Sequence, residues 1–124
     1  MKNLMTVIYQ QIDQAHPYKT YNGIAPSDAE YPYVVYKILP VQNTEKDRDD
    51  FNLEISCWDK STSTSHGRVV DIADAIKLNL KRFRHLDEHN LMIFSSPSVG
   101  YIPDPDEQVK RYDVTSTLLT YRRS

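Results

Sequence analysis

The sequence is short of most devices by which small proteins do chemistry. It holds one cysteine, Cys57, so no disulfide can form within the chain, and a reducing cytoplasm is the expected setting. Its three glycines, Gly23, Gly67 and Gly100, are too scattered to build a phosphate-cradling loop. The serines at 61, 63, 65, 95, 96 and 98 stand in no G-x-S-x-G elbow. No apolar run approaches the roughly 20 residues of a membrane span. Met1–Tyr9 mixes polar residues into its apolar stretch, so no signal-peptide core is expected. A net charge of −2 provides no overall basic field for nucleic acid or an anionic membrane. These gaps weigh against an enzyme, a cofactor carrier, a membrane protein and a sequence-specific nucleic-acid binder.

What is present describes a folded domain. Hydrophobic residues make up 40% and charged residues 26% of 124 residues, which suits one globular domain over 1–124. Seven prolines imply stiff connections. Nine tyrosines are many for this length. Each joins a large apolar body to a polar tip, which suits surfaces buried on association.

Leu4, Val7, Ile8, Ile12 and Ala15 recur at helical spacing, predicting an amphipathic helix over 3–15 that His16-Pro17 ends. Tyr21-Asn-Gly23 signals a turn beside a short strand. Tyr33–Val41 reads as a strand apolar on both faces, with Val34, Tyr36 and Ile38 on one side and Tyr33, Val35 and Leu39 on the other. Phe51–Trp58 alternates cleanly, placing Phe51, Leu53, Ile55 and Cys57 together. Between these runs, Glu45–Asp50 reads as a solvated hairpin tip. Ser61–Ser65 offers several N-caps for a helix whose stripe is Val69, Ile72, Ala73, Ile76, Leu80 and Phe83. Leu91–Phe94 is a short strand, Ser95–Glu107 a proline-rich loop, and Val109–Arg122 a long closing strand. The expected fold class is α+β, a two-layer sandwich with two helices on one face of an antiparallel sheet, in the order α-β-β-β-α-β-β.

Candidate chemistry is thin. His85-Leu-Asp-Glu-His89 would put two imidazoles on one face of a continuous helix, as in helical zinc sites. The stripe ends near Phe83 and no third ligand is evident, so a polar connection is the better reading and no metal is assigned. Cys57 sits on an apolar face and reads as a small core residue. Lys81-Arg-Phe-Arg84 and Arg122-Arg123 read as a helix C-terminus and a strand tail rather than a nucleic-acid patch. No catalytic, cofactor-binding or metal-binding residue is assigned.

Taken in order, these segments resemble the small tail completion or tail terminator proteins of long-tailed bacteriophages and prophages, tail-to-head joining proteins included. The residues that carry the resemblance are the opening helix Leu4–Ala15, Tyr31-Pro-Tyr-Val-Val-Tyr36 entering the first long strand, and a strand ending Ile55-Ser-Cys-Trp-Asp59. A Ser/Thr lead-in to a helix and a terminal strand ending Tyr121-Arg-Arg123 complete them. The resemblance implies a structural subunit that forms a homo-hexameric ring on the head-proximal end of the tail tube. Its implied partners are itself, the major tail tube protein and the head connector or stopper. It implies assembly in the host bacterial cytoplasm and residence in the virion, with no membrane and no catalysis.

A ring needs a surface. Tyr33, Val35, Trp58, Tyr101 and Tyr112 are the expected subunit-interface residues, because a helix layer on one side leaves the second face of the first strand to be covered. The loops at 42–50 and 95–107 are expected to order on docking. The alternative is a small α+β binding module outside phages that uses the 95–107 loop to hold a peptide or small ligand.

Overall fold

The computed structural model describes residues 2–41, 48–61, 66–86 and 90–122. Its elements are α1 (Lys2–Gln14), β1 (Lys19–Asn22), β2 (Tyr33–Val41), β3 (Arg48–Lys60), α2 (Gly67–Arg82), β4 (Arg84–Leu86), β5 (Asn90–Ile102) and β6 (Val109–Arg122). The fold is α+β, with two helices and one six-stranded sheet in the order β1-β2-β3-β6-β5-β4.

The two helices form where the apolar spacing predicts. In α1, Leu4, Ile8 and Ile12 are buried, each four residues after the last, so one stripe turns inward. His16-Pro17 stops the helix, and the Ala15 N–H bonds back to the Ile12 carbonyl at 3.1 Å. In α2, Val69, Ile72, Ala73, Ile76 and Leu80 are buried, each large aliphatic one contributing about 1.5–3 kcal/mol against exposure. Lys81 and Arg82 occupy the last turn, where the carbonyl end of the helix dipole favours cations. Residues 62–65 of the expected Ser/Thr lead-in lie outside the described residues. The N-cap is His66, whose side chain makes no capping hydrogen bond.

Both stripes meet one face of the sheet. Val34 and Tyr36 of β2, Leu53, Ile55 and Cys57 of β3, Met92 and Phe94 of β5, and Val114 and Leu118 of β6 join them in a single cluster. Residues between these positions face away from the helices, as strand alternation requires.

The sheet departs from expectation in three ways. It is mixed rather than antiparallel, because β1 pairs with β2 in parallel, Lys19 opposite Tyr33. After β1, Gly23 takes a φ of 84°, a left-handed conformation that costs glycine little, and its N–H bonds to the Tyr36 carbonyl at 2.9 Å. The chain then returns to the start of β2 through a cis Tyr31–Pro32 bond. Second, β4 adds a strand after α2, giving α-β-β-β-α-β-β-β. Third, the proline-rich segment is largely strand: β5 continues through Ile102, leaving only 103–108 as a turn.

The prolines stand where a sheet tolerates them. Pro97 lies in a bulge between Ser95 and Ser98, where the ladder skips a residue. That residue switches the inward parity of β5 from Met92 and Phe94 to Val99, which pairs with buried Val114. The Tyr36 carbonyl faces β1, so alternate positions, Pro40 included, turn their backbone outward, where β2 has run past β1 and a missing N–H costs no ladder bond. Pro103 and Pro105 follow the strand end.

Candidate functional site

The face away from the helices changes character along the strands. At one end, Tyr33, Trp58, Arg111 and Ile102 stand in register across β2, β3, β6 and β5. The Tyr33 and Trp58 rings are stacked at 6.3 Å, Tyr31 lies 5.2 Å from Tyr33, and Tyr21 meets Tyr33 edge-on at 6.0 Å. The Arg111 guanidinium sits 4.9 Å over the Trp58 ring and is held there by both carboxylate oxygens of Asp113, at 2.9 and 3.0 Å. Burial pushes the Tyr33 phenol above its ordinary pKa, and the neighbouring Tyr31, Tyr21 and Asp104 add to that shift. Val35, 8% exposed, lies beside this aromatic row and lines a hollow of about 260 Å³ with Gly23, Ile24, Ala25 and Trp58.

The middle of the same face is polar. Asn52, Glu54, Ser95, Ser98, Thr115 and Thr117 line a shallow groove, and Ser98 and Thr115 hydroxyls bond to each other at 3.0 Å. The far end mixes apolar side chains with one ion pair: Leu39, Val41 and Leu86 are exposed, Leu91, Ile93, Leu119 and Tyr121 are half-buried, and Arg48 pairs with Asp50 at 3.0 Å while lying 5.8 Å over the Tyr121 ring.

Three of the five candidate interface residues, Tyr33, Val35 and Trp58, are therefore neighbours. The other two are not with them. Tyr101 and Tyr112 pair across β5 and β6 on the helix side, beside the start of α2, where Tyr112 packs against the core. There the His66 Nδ1 and the Tyr112 hydroxyl are 3.0 Å apart, and the His66 and Tyr101 rings 5.1 Å apart. The bulge at 95–98 is the reason, since without its extra residue Tyr101 would fall on the opposite face.

Sequence reasoning missed two polar anchors at this end. Asp59, 4% exposed, takes a bidentate contact from Arg68, through Nε at 2.8 Å and Nη2 at 2.5 Å, tying β3 to α2. His16, 7% exposed, accepts the Tyr18 backbone N–H on Nδ1 at 3.1 Å. The ring proton is therefore on Nε2, which donates to Thr20 Oγ1 at 2.8 Å. Thr20 in turn donates to Asp13 Oδ1 at 3.1 Å. Burial lowers the His16 pKa below 6.5, with the Asp13 charge opposing. Neither anchor has a periodic signal; a histidine before proline and an aspartate at a strand end are the available hints.

The other candidate chemistry disperses. His85 lies in β4, stacked on Phe83 at 6.3 Å, and α2 has ended at Arg82, so the helical two-histidine spacing does not arise. His89, Asp87 and Glu88 lie outside the described residues. Among the described residues no three His, Cys, Asp or Glu side chains are grouped to hold a metal. Cys57 is fully buried, and its thiol pKa is pushed up to about 12, chiefly by desolvation, which makes it a poor nucleophile near neutral pH. No helix among the described residues is long and apolar enough to cross a membrane.

No family model and no curated protein matches this sequence. Solved structures do. One is a chain of "Virion of native gene transfer agent (GTA) particle", 12% identical, with a TM-score of 0.60 over 94% of this chain and 92% of that one. Another, whose name states no function, is 8% identical, with a TM-score of 0.64 over 100% of this chain and 96% of its own. The likeness is one of fold. It spans nearly the whole of each partner, so the helices and the sheet are shared as a unit. What the arrangement offers chemically is recognition: stacked rings, a ring-bound guanidinium and half-buried aliphatics.

Proposed function

We propose that this chain is a structural subunit of a phage or phage-like particle, a two-layer α+β protein that completes the tail. In this reading copies assemble as a homo-hexameric ring on the head-proximal end of the tail tube. The ring stops the tube and joins it to the head. The partners are further copies of the chain, the major tail tube protein and the head connector. Assembly takes place in the host cytoplasm, the finished subunit belongs to the virion, and its work needs no catalytic residue, metal or cofactor.

The observation that carries the reading is the near end-to-end fold likeness to a chain from a gene transfer agent virion. It agrees with the ordered set of segments that resembles tail completion proteins. The open sheet face supports it physically. A face with an aromatic row at one end and exposed Leu39, Val41 and Leu86 at the other suits burial by protein. The alternative use of 95–107 as a ligand-holding loop loses its footing, since β5 runs to Ile102.

The test is electron microscopy and native mass spectrometry of the chain with and without purified tail tubes from its own genetic neighbourhood. Sixfold rings at one end of each tube are the expected outcome. Tubes that continue to elongate in its presence, with the chain remaining monomeric and unbound, would sink the reading.

A further inference from the structure

We propose that opposite ends of the subunit bind each other between copies, the acidic turn at 103–107 of one subunit meeting the basic corner at 81–84 of the next. The inference rests on the ring reading and names its contact.

The acidic pole is the turn Pro103–Glu107. Asp104 Oδ1 accepts the Asp106 N–H at 2.9 Å, and Asp106 Oδ1 accepts the Gln108 N–H at 3.0 Å, so backbone bonds fix the turn. Asp106 and Glu107 are exposed, and the turn follows Ile102, which pairs with Arg111 in the line that runs through Trp58 to Tyr33, so the charge stands beside the aromatic row. Nearby cations are already engaged. Lys110 is buried and bonds the Glu107 carbonyl, Arg111 is held by Asp113, and Arg68 by Asp59.

The basic pole closes α2. Lys81, Arg82 and Arg84 are all exposed. Arg84 pairs across β4 with Ile93, on the face and at the end where Leu86, Leu91, Ile93, Leu119 and Tyr121 form the apolar strip. From Ile93 to Ile102, β5 separates the poles by roughly 30 Å at about 3.3 Å per residue. That is several times the screening length of about 8 Å at physiological salt, so the poles cannot neutralise each other within one chain.

Each pole therefore joins unspent charge to half-buried apolar surface, and the signs are opposite. A two-fold contact through one pole alone would set like charges together, and an antiparallel contact through both poles would close a dimer; the ring reading selects the head-to-tail pairing, in which each pole meets a different copy. A head-to-tail contact repeated with a closing rotation makes a ring. Each pole is thus occupied by the opposite pole of a second copy.

Three forms test it: Asp104→Lys with Asp106→Lys, Lys81→Glu with Arg84→Glu, and both pairs in one chain. Because Asp104 and Asp106 also accept backbone N–H groups of the turn, Asp104→Asn with Asp106→Asn, which keeps both acceptors and removes the charge, is the control that should also weaken assembly, and circular dichroism checks that each form keeps its fold. Self-association on tube ends is read by native mass spectrometry and electron microscopy. Each pair alone is expected to weaken assembly about 10–100-fold by facing like charges. The four-fold variant, and an equimolar mixture of the two single-pole forms, should recover it. Mixing should give rings that alternate the two forms. If wild-type rings form and single-pole variants assemble as well as wild type, the contact is wrong and the ring reading stands. Rescue that yields only closed dimers overturns the head-to-tail geometry. Wild type that neither self-associates nor caps tubes removes the ring reading and this contact together.

Discussion

The two faces of the sheet are made from the same strands by simple alternation, yet they obey different rules. On the helix side, Val34, Leu53, Ile55, Cys57, Met92, Val114 and Leu118 are each at most 1% exposed, and the same side of β3 and β6 also buries Asp59, Lys110, Ser116 and Thr120. On the open side the type changes every few residues, from Tyr33 and Trp58 through Asn52, Glu54 and Thr115 to Leu119 and Leu91. A core rewards volume and apolarity and admits a polar group where a partner is at hand, as Arg68 is for Asp59 and the Ser95 carbonyl for Ser116. A recognition surface needs differences along its length, so that one register of docking is better than the others. The variation on the open face is of the kind that the proposed role in assembly requires.

Substitutions can break that comparison at adjacent residues. Leu118→Ala empties a fully buried site and should cost about 3 kcal/mol in denaturant unfolding, while its neighbour Leu119→Ala should cost less than about 1 kcal/mol and act on assembly instead. Equal losses would mean that the open face is as much a core as the other. A smaller effect is expected from Asp59→Ala, which leaves Arg68 and the Lys60 N–H without their acceptor. Arg68 is half in solvent, so the loss should be about 1–2 kcal/mol rather than that of a fully buried pair. Trp58→Ala should cost about 1 kcal/mol or less in folding, since the ring is half-exposed, yet remove ring assembly in electron micrographs. Normal rings from that variant would take the aromatic row out of the interface.

The smallest effect is a pH dependence at the corner between α1 and β1. His16 has a folded pKa below its ordinary 6.5, so the folded state favours the neutral ring and the unfolded chain binds the proton more readily. Its contribution to stability is present above pH 6.5 and lost as pH falls through the folded pKa. Charging the ring also removes the lone pair that accepts the Tyr18 N–H. Chemical denaturation of wild type and His16→Gln between pH 7.5 and 5 reads this. Wild type should lose stability over that interval more steeply than the variant, and parallel slopes would show that His16 is not the responsible group.

Much of the fold is legible in the amino-acid order. The α1 and α2 stripes and the inward sides of β2 and β3 follow from spacing alone, because a helix or strand repeats its contacts at a fixed period. Cys57 reads as core for the same reason. The edge strand β4 does not, since three residues carry no periodic signal, and the parallel sense of β1 is set by where the return through 23–32 ends. The proline-rich run misleads because a proline count ignores position: Pro97 lies in a bulge and Pro103 beyond the last strand residue. That same bulge hides the true face of Tyr101. Of the candidate site, Tyr33, Val35 and Trp58 could be placed together from alternation and pairing, but Arg111 over Trp58 and Asp104 beside Tyr33 join segments some fifty residues apart or more.

By itself, then, the sequence determined an α+β chain with two amphipathic helices, a strand apolar on both sides and a deficit of catalytic groupings. These are local properties, written in periodicity and composition. Tertiary structure alone decided that the aromatic row and the acidic turn share one end of the open face while Arg84 and the apolar strip share the other. The physical reason is register. Strand pairing brings Tyr33, Trp58, Arg111 and Ile102 into one line across four strands, and no spacing within any one of them contains that line.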